Sequence, residues 1–128
     1  MKINDPAIVA EVTAAFERYE AAFVANDMVT LDSLFVAHPG TVRFGVAENL
    51  YGIDAIRAYR RTVRPVGLER QLVDTVITTY GTDCAVASTL FYRDSAPGKV
   101  GRQMQTWIRT EDGWRVAAAH VSVIDEPE

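Results

Sequence analysis

The chain has one cysteine, two histidines, no run of basic residues, and no apolar stretch near the roughly 20 residues that a membrane span needs. A lone Cys84 cannot close an internal disulfide or build a cysteine-based zinc site. Lying beside Ala85 and Val86 in an apolar segment, it reads as core rather than as a nucleophile. His38 and His120 stand far apart, and neither has metal-ligand spacing around it, so no metal and no cofactor is expected. No glycine-rich phosphate loop or nucleophile elbow appears. The 13 Lys and Arg are dispersed among 17 Asp and Glu, giving a net charge of −4, which argues against nucleic acid or an anionic membrane as partner. Met1 to Pro6 is polar and lacks the apolar core of a signal peptide, so a cytoplasmic location is expected.

What is present suffices for one domain over residues 1–128, since 48% of the residues are apolar. Ile8, Val12, Phe16, Tyr19 and Phe23 recur at helical spacing, which predicts a helix from Pro6 to about Asn26 with Asp5 as its cap. A short second helix carries Leu31, Leu34 and Phe35, and His38-Pro39-Gly40 is a turn. Thr41 to Gly45 alternates, with Val42 and Phe44 on one side and Thr41 and Arg43 on the other. A third helix is predicted from Ile53 to about Val63, ended by Pro65. Four β segments follow, at about 68–80, 83–93, 100–110 and 114–124, separated by turn residues. Helices first and long strands afterwards is an α+β order: a curved antiparallel sheet wrapped around N-terminal helices, with a conical cavity between them.

The last two strands bear most on function. Pairing them across Asp112-Gly113 sets Trp107 opposite Ala118, Gln105 opposite His120, and Gln103 opposite Ser122. One face then carries amides, an imidazole, a hydroxyl and an indole, which suits water, a subunit contact or a cavity wall. Tyr19 lies on the apolar stripe of the first helix, where a core tyrosine is the simplest reading. Arg43 sits among apolar neighbours and needs an anion, because an unpaired buried guanidinium is costly. Its partner is either an internal carboxylate, with Glu48 nearest in sequence, or a substrate carboxylate at about 1.5–3 kcal/mol per charged hydrogen bond. Arg57, Arg60, Arg61 and Arg64 form a mostly solvated stripe from which Arg60 leans inward.

Three stretches carry a resemblance to a known family. "LFVAHPGTVRFGVAENLYGIDAIRAYR", with "TVITTYG" and "GRQMQTWIRTEDGWRVAAAHVS", resembles the AtzH/HpxZ family of the SnoaL-like (nuclear transport factor 2-like) superfamily. The resemblance implies the cone of that superfamily, usually as a homodimer or dimer of dimers, encoded beside amidases that act on ureides. It also implies a decarboxylase that turns 1,3-dicarboxyurea into allophanate and CO₂ in cyanuric acid breakdown, using a tyrosine and an arginine. By position in the motifs these fall on Tyr19 and Arg43. In that scheme the tyrosine hydroxyl donates a proton and Arg43 holds the carboxylate that stays. Phe23, Phe35 and Trp107 supply apolar walls, Gln105 and His120 orient the urea core, and Ser122 is a further substrate-binding residue. An oxalurate-like ureide as substrate, or a non-catalytic role as assembly partner of an amidase, are the alternatives. In the latter, Arg43 is paired internally with a residue such as Glu48.

Overall fold

The computed structural model describes residues 1–64 and 67–127. Its helices are α1 (Pro6–Val24), α2 (Met28–Ser33) and α3 (Ile53–Arg60). Its strands are β1 (Val42–Phe44), β2 (Asn49–Tyr51), β3 (Gln71–Tyr80), β4 (Cys84–Tyr92), β5 (Lys99–Thr110) and β6 (Gly113–Asp125). Helix α1 begins where the Asp5 carboxylate accepts the Ala7 amide at 3.1 Å, with Pro6 in a first turn that leaves its missing N–H without consequence. It buries Ile8, Val12, Phe16, Tyr19 and Ala22, following the expected stripe, and Phe23 packs half-buried at its end. Asp27 caps α2 by accepting the Thr30 amide at 3.1 Å. Helix α3 stops at Arg60, and Pro65 lies outside the described residues.

The six strands form one sheet in the order β2-β1-β6-β5-β4-β3. Neighbours are antiparallel except β1, which runs parallel to β6. The four long strands lie close to their expected bounds. Strand β2 was not anticipated, because its three residues are too few to display an alternation. It returns on β1 and sets Leu50 beside Arg43, on the inner face with the buried Ala119.

The register of the last two strands differs from expectation. Residues 110 and 113 pair across a two-residue turn, so Trp107 faces Val116, Gln105 faces Ala119 and Gln103 faces Val121. Between Trp107 and Thr106 the register shifts by one, because β6 bulges at Ala117. One added residue reverses the alternation downstream, so Ala119 and Val121 turn inward while His120 and Ser122 turn outward. The bulge falls where the edge partner of β6 changes. Val116 exchanges backbone hydrogen bonds with Leu34 and Val36, whereas Ala118 onward pairs with β1. A bend there curls the sheet around the helices.

The inner face of β3, β4, β5 and β6 packs in cross-strand rows. Leu72, Phe91, Gly101 and Val123 form one of them. Gly101 makes room for its neighbour: a Cβ there would lie 2.0 Å from the Phe91 ring. Gly101→Ala is therefore expected to destabilise the protein by about 1–3 kcal/mol through overpacking. Urea unfolding should show a lowered midpoint with an unchanged slope.

Candidate functional site

A cavity of about 290 Å³ opens between α1, α3, the β1–β2 hairpin and the far ends of β3–β6. It lies near the lower end of small-molecule sites, which run from about 300 Å³. Apolar walls come from Phe23, Leu31, Leu50, Ile56 and Val121, and polarity comes mainly from Tyr19, Tyr59, Gln103, Glu48 and four arginines.

Tyr19 reaches the cavity from the buried face of α1. Its ring is held edge-on by Phe35 at 6.1 Å and by Trp107 at 6.3 Å between centroids. Among the described residues its hydroxyl has no hydrogen-bond partner, and it is not fully enclosed, so it is open to a ligand.

Arg43 points inward from β1, as the alternation predicts, and its Nη1 donates to Glu48 Oε1 at 2.8 Å. Glu48 is fixed in turn, since its other oxygen accepts the Ala47 amide at 3.1 Å. Gly45 leaves the space for it, as a Cβ there would lie 1.6 Å from Glu48 Oε1. Tyr59 completes this corner, with its ring 5.9 Å from the Arg43 guanidinium. Burial first, and then the charge and hydrogen bonding of Glu48, raise the Tyr59 pKa above the ordinary tyrosine value.

The far end of the cavity belongs to Arg70 and Arg93. They stand one residue beyond the pair Gln71–Tyr92, where the inward alternation of β3 and β4 continues past the strand ends. Arg70 is a buried ion-pair residue: Nε donates to Glu20 Oε2 at 3.0 Å, and Nη2 donates to Glu20 Oε1 and to Gln103 Oε1. Its guanidinium also stacks 4.1 Å from the centre of the Phe23 ring. Arg93 lies 5.3 Å from the Phe91 ring centre, and its buried Nε has no hydrogen-bond partner. Burial, followed by repulsion from Arg70, lowers the Arg93 pKa from the ordinary arginine value. Arg60 does turn inward, where Asp32 Oδ1 accepts from its Nε at 3.2 Å.

Of the expected site residues, Tyr19, Arg43 and Phe23 line the cavity together. Phe35, Trp107 and Gln105 lie in the packed layer beneath, where Trp107 Nε1 donates to Gln105 Oε1 at 3.1 Å. Phe35 and Trp107 thus bear on the cavity through Tyr19. His120 and Ser122 are corrected in placement: the bulge turns both to the outer face. There His120 meets the Phe44 ring edge-on at 6.0 Å, and Ser122 accepts from Arg102 Nε at 3.1 Å. Sequence reasoning did not single out Arg70, Arg93, Glu20 or Tyr59. Arg93 was accessible to it, because Ala85, Ala87, Thr89, Phe91 and Arg93 share one phase of β4 and its extension.

An open, strongly curved sheet over N-terminal helices, with a cavity between them, is the NTF2-like (cystatin-like) class of fold. A cystatin-like fold protein from Burkholderia xenovorans is 51% identical over 99% of both chains, with a TM-score of 0.95. A protein with unknown function from Pectobacterium atrosepticum is 54% identical over 96% of this chain and 95% of its own, with a TM-score of 0.94. An NTF2-like protein of unknown function from Pseudomonas putida shares the fold alone, at 19% identity over 92% of this chain and 87% of its own, with a TM-score of 0.77. No curated protein matches the chain. Within this class the chain belongs to the AtzH-like family, whose pattern spans residues 1–127.

Two outcomes follow from the charge network. Glu20→Ala leaves Arg70, whose side chain is 2% exposed, without its carboxylate, and is expected to cost about 3–5 kcal/mol in denaturant unfolding. The raised Tyr59 pKa means that the folded state favours the protonated phenol. Its contribution to stability is present below the ordinary tyrosine range and is lost as pH rises through the raised value. Spectroscopic titration should show one late-ionising tyrosine that moves to lower pH in Glu48→Gln, since Glu48 is one of the causes of the shift.

Proposed function

We propose that this chain is a decarboxylase of a small carboxylated urea, converting 1,3-dicarboxyurea into allophanate and CO₂ in cyanuric acid breakdown. The observation that carries this reading is a small, arginine-rich cavity in an AtzH-like chain, lined by both Tyr19 and Arg43. The net positive side chains suit an anion, and the volume admits a small molecule such as a dicarboxylated urea.

The chemistry asks for two things. When the terminal C–N bond breaks, its electron pair passes to nitrogen and spreads onto the adjacent carbonyl oxygen, and CO₂ departs. Nitrogen then needs a proton, and the carbonyl oxygen needs donors while it carries charge. Tyr19 supplies the proton, since a tyrosine hydroxyl is protonated at neutral pH, and regains one from water. Arg43 donates to the carbonyl oxygen. Because Glu48 already neutralises Arg43, this role suits it better than the expected grip on a substrate carboxylate. Donors set in place before the charge develops favour the transition state over the ground state. The apolar walls of Phe23, Leu50 and Ile56 lower the solvation of the departing carboxylate.

The same reading takes a homodimer or dimer of dimers as the working unit, with an amidase of the pathway as possible partner. The exposed Val76 and Met104 on the outer face suit such contacts. A second reading has its own support: the Arg43–Glu48 ion pair is what a non-catalytic binding or assembly domain would show.

Carbon NMR of CO₂ release from freshly generated 1,3-dicarboxyurea separates the two. The native protein should accelerate release over the spontaneous rate. Tyr19→Phe should lower kcat by about 10²–10⁴-fold, and Arg43→Ala by about 10²–10³-fold. No acceleration by the native protein would reject the dicarboxyurea decarboxylase and leave an oxalurate-like ureide as substrate or the assembly role. Acceleration that survives both substitutions would move the chemistry to other residues.

A further inference from the structure

Four arginines line the cavity, and three are each held by a carboxylate of the chain: Arg43 by Glu48, Arg60 by Asp32 and Arg70 by Glu20. Among the described residues Arg93 has no such partner. Its Nε is buried and makes no hydrogen bond, and it stands next to the like charge of Arg70. The rings of Phe23 and Phe91 flank both guanidinium groups, so this end of the cavity is apolar as well as positive. A partly buried guanidinium without a carboxylate of its own is stabilised when an anion arrives. Its planar fork matches one chemistry best, a carboxylate taken by two parallel N–H···O bonds.

We propose that Arg93 is the anchor for a second substrate carboxylate, the one retained in the product. The assignment rests on the decarboxylase reading for the identity of the substrate, but not for the existence of the subsite. Arg93 enters from the end of β4, whereas Arg43 enters from β1, so the two meet a bound molecule at different points. An unneutralised guanidinium stabilises the charge of whatever carboxylate it holds. Placed on the departing group, it would deepen the ground state and slow the reaction; placed on the retained group, it only positions the substrate. The subsite therefore makes the enzyme select dicarboxylates. It also makes the reaction stop after one CO₂: the product keeps a single carboxylate, and that group stays on Arg93, away from Tyr19 and Arg43.

Glutarate tests this without turnover, because it has the same number of chain atoms between its carboxylates as 1,3-dicarboxyurea and does not decarboxylate. Calorimetric titration of the native protein should show tighter binding of glutarate than of its uncharged diamide, which offers Arg93 no carboxylate. Arg93→Gln should weaken glutarate by about 10–100-fold, to the level of the diamide, and Arg93→Lys should fall between. In the absence of any anion, Arg93→Gln should melt no lower than the native protein, since it removes an uncompensated charge; a merely structural arginine would show the opposite. With 1,3-dicarboxyurea the loss should appear in KM more than in kcat. Native-like glutarate binding by Arg93→Gln, or no preference for glutarate in the native protein, overturns the subsite. Should Arg93→Gln not fold, native-like glutarate binding by Arg93→Lys does so. A glutarate preference that depends on Arg93 in a protein that turns over no carboxylated urea keeps the subsite and rejects the decarboxylase. Decarboxylation lost in Tyr19→Phe, with KM unchanged in Arg93→Gln, does the reverse.

Discussion

A guanidinium turned into an apolar concavity has to be neutralised, and this one requirement organises the inside of the cone. Arg70 is met by Glu20 from α1, and Arg60 by Asp32 from α2, so each ion pair also ties a strand end or helix to the layer facing it. Arg43 is met within its own hairpin by Glu48, in a space that exists because residue 45 is glycine. These pairs are costly to desolvate and add little net stability, but removing either partner leaves a bare charge in a poor solvent. They act as constraints on which helix lies against which strand. Arg93 stands outside this scheme, and so the positive character of the cavity concentrates at its end.

Curvature has an equally local origin. The bulge at Ala117 is a single extra residue, yet it sits where the edge of β6 passes from the segment after α2 to strand β1. It bends the sheet and reverses which residues of β6 face the helices. Gly101 complements it from β5 by letting the Phe91 ring lie across the inner face, under Arg93. Tyr19 depends on the same packing: Phe35 and Trp107 hold its ring from two sides, which leaves the hydroxyl at the cavity wall. A ring packed from two sides gives its hydroxyl a defined direction, as the proposed proton transfer requires.

What the sequence determined by itself is whatever depends on short-range periodicity. Helix α1 and its buried stripe, its Asp5 cap, the four long strands, and the inward direction of Arg43 all follow from residues close to one another in the chain. The motifs around "TVRFGVAENLYG" and "GRQMQTW" likewise sufficed for the family. Strand β2 escaped because three residues carry no readable period.

Only the tertiary structure decided which charges meet and which faces are inner. Glu20 and Arg70 are 50 residues apart, and nothing in either neighbourhood marks them as partners. His120 and Ser122 were expected on the cavity wall, and one bulged residue placed them outside it. Alternation is read by counting along the chain, so an insertion that only sheet pairing reveals inverts every position beyond it. Pairing of buried charges is settled by closure of the whole cone, because the Coulomb energy depends on a distance that the local sequence does not contain.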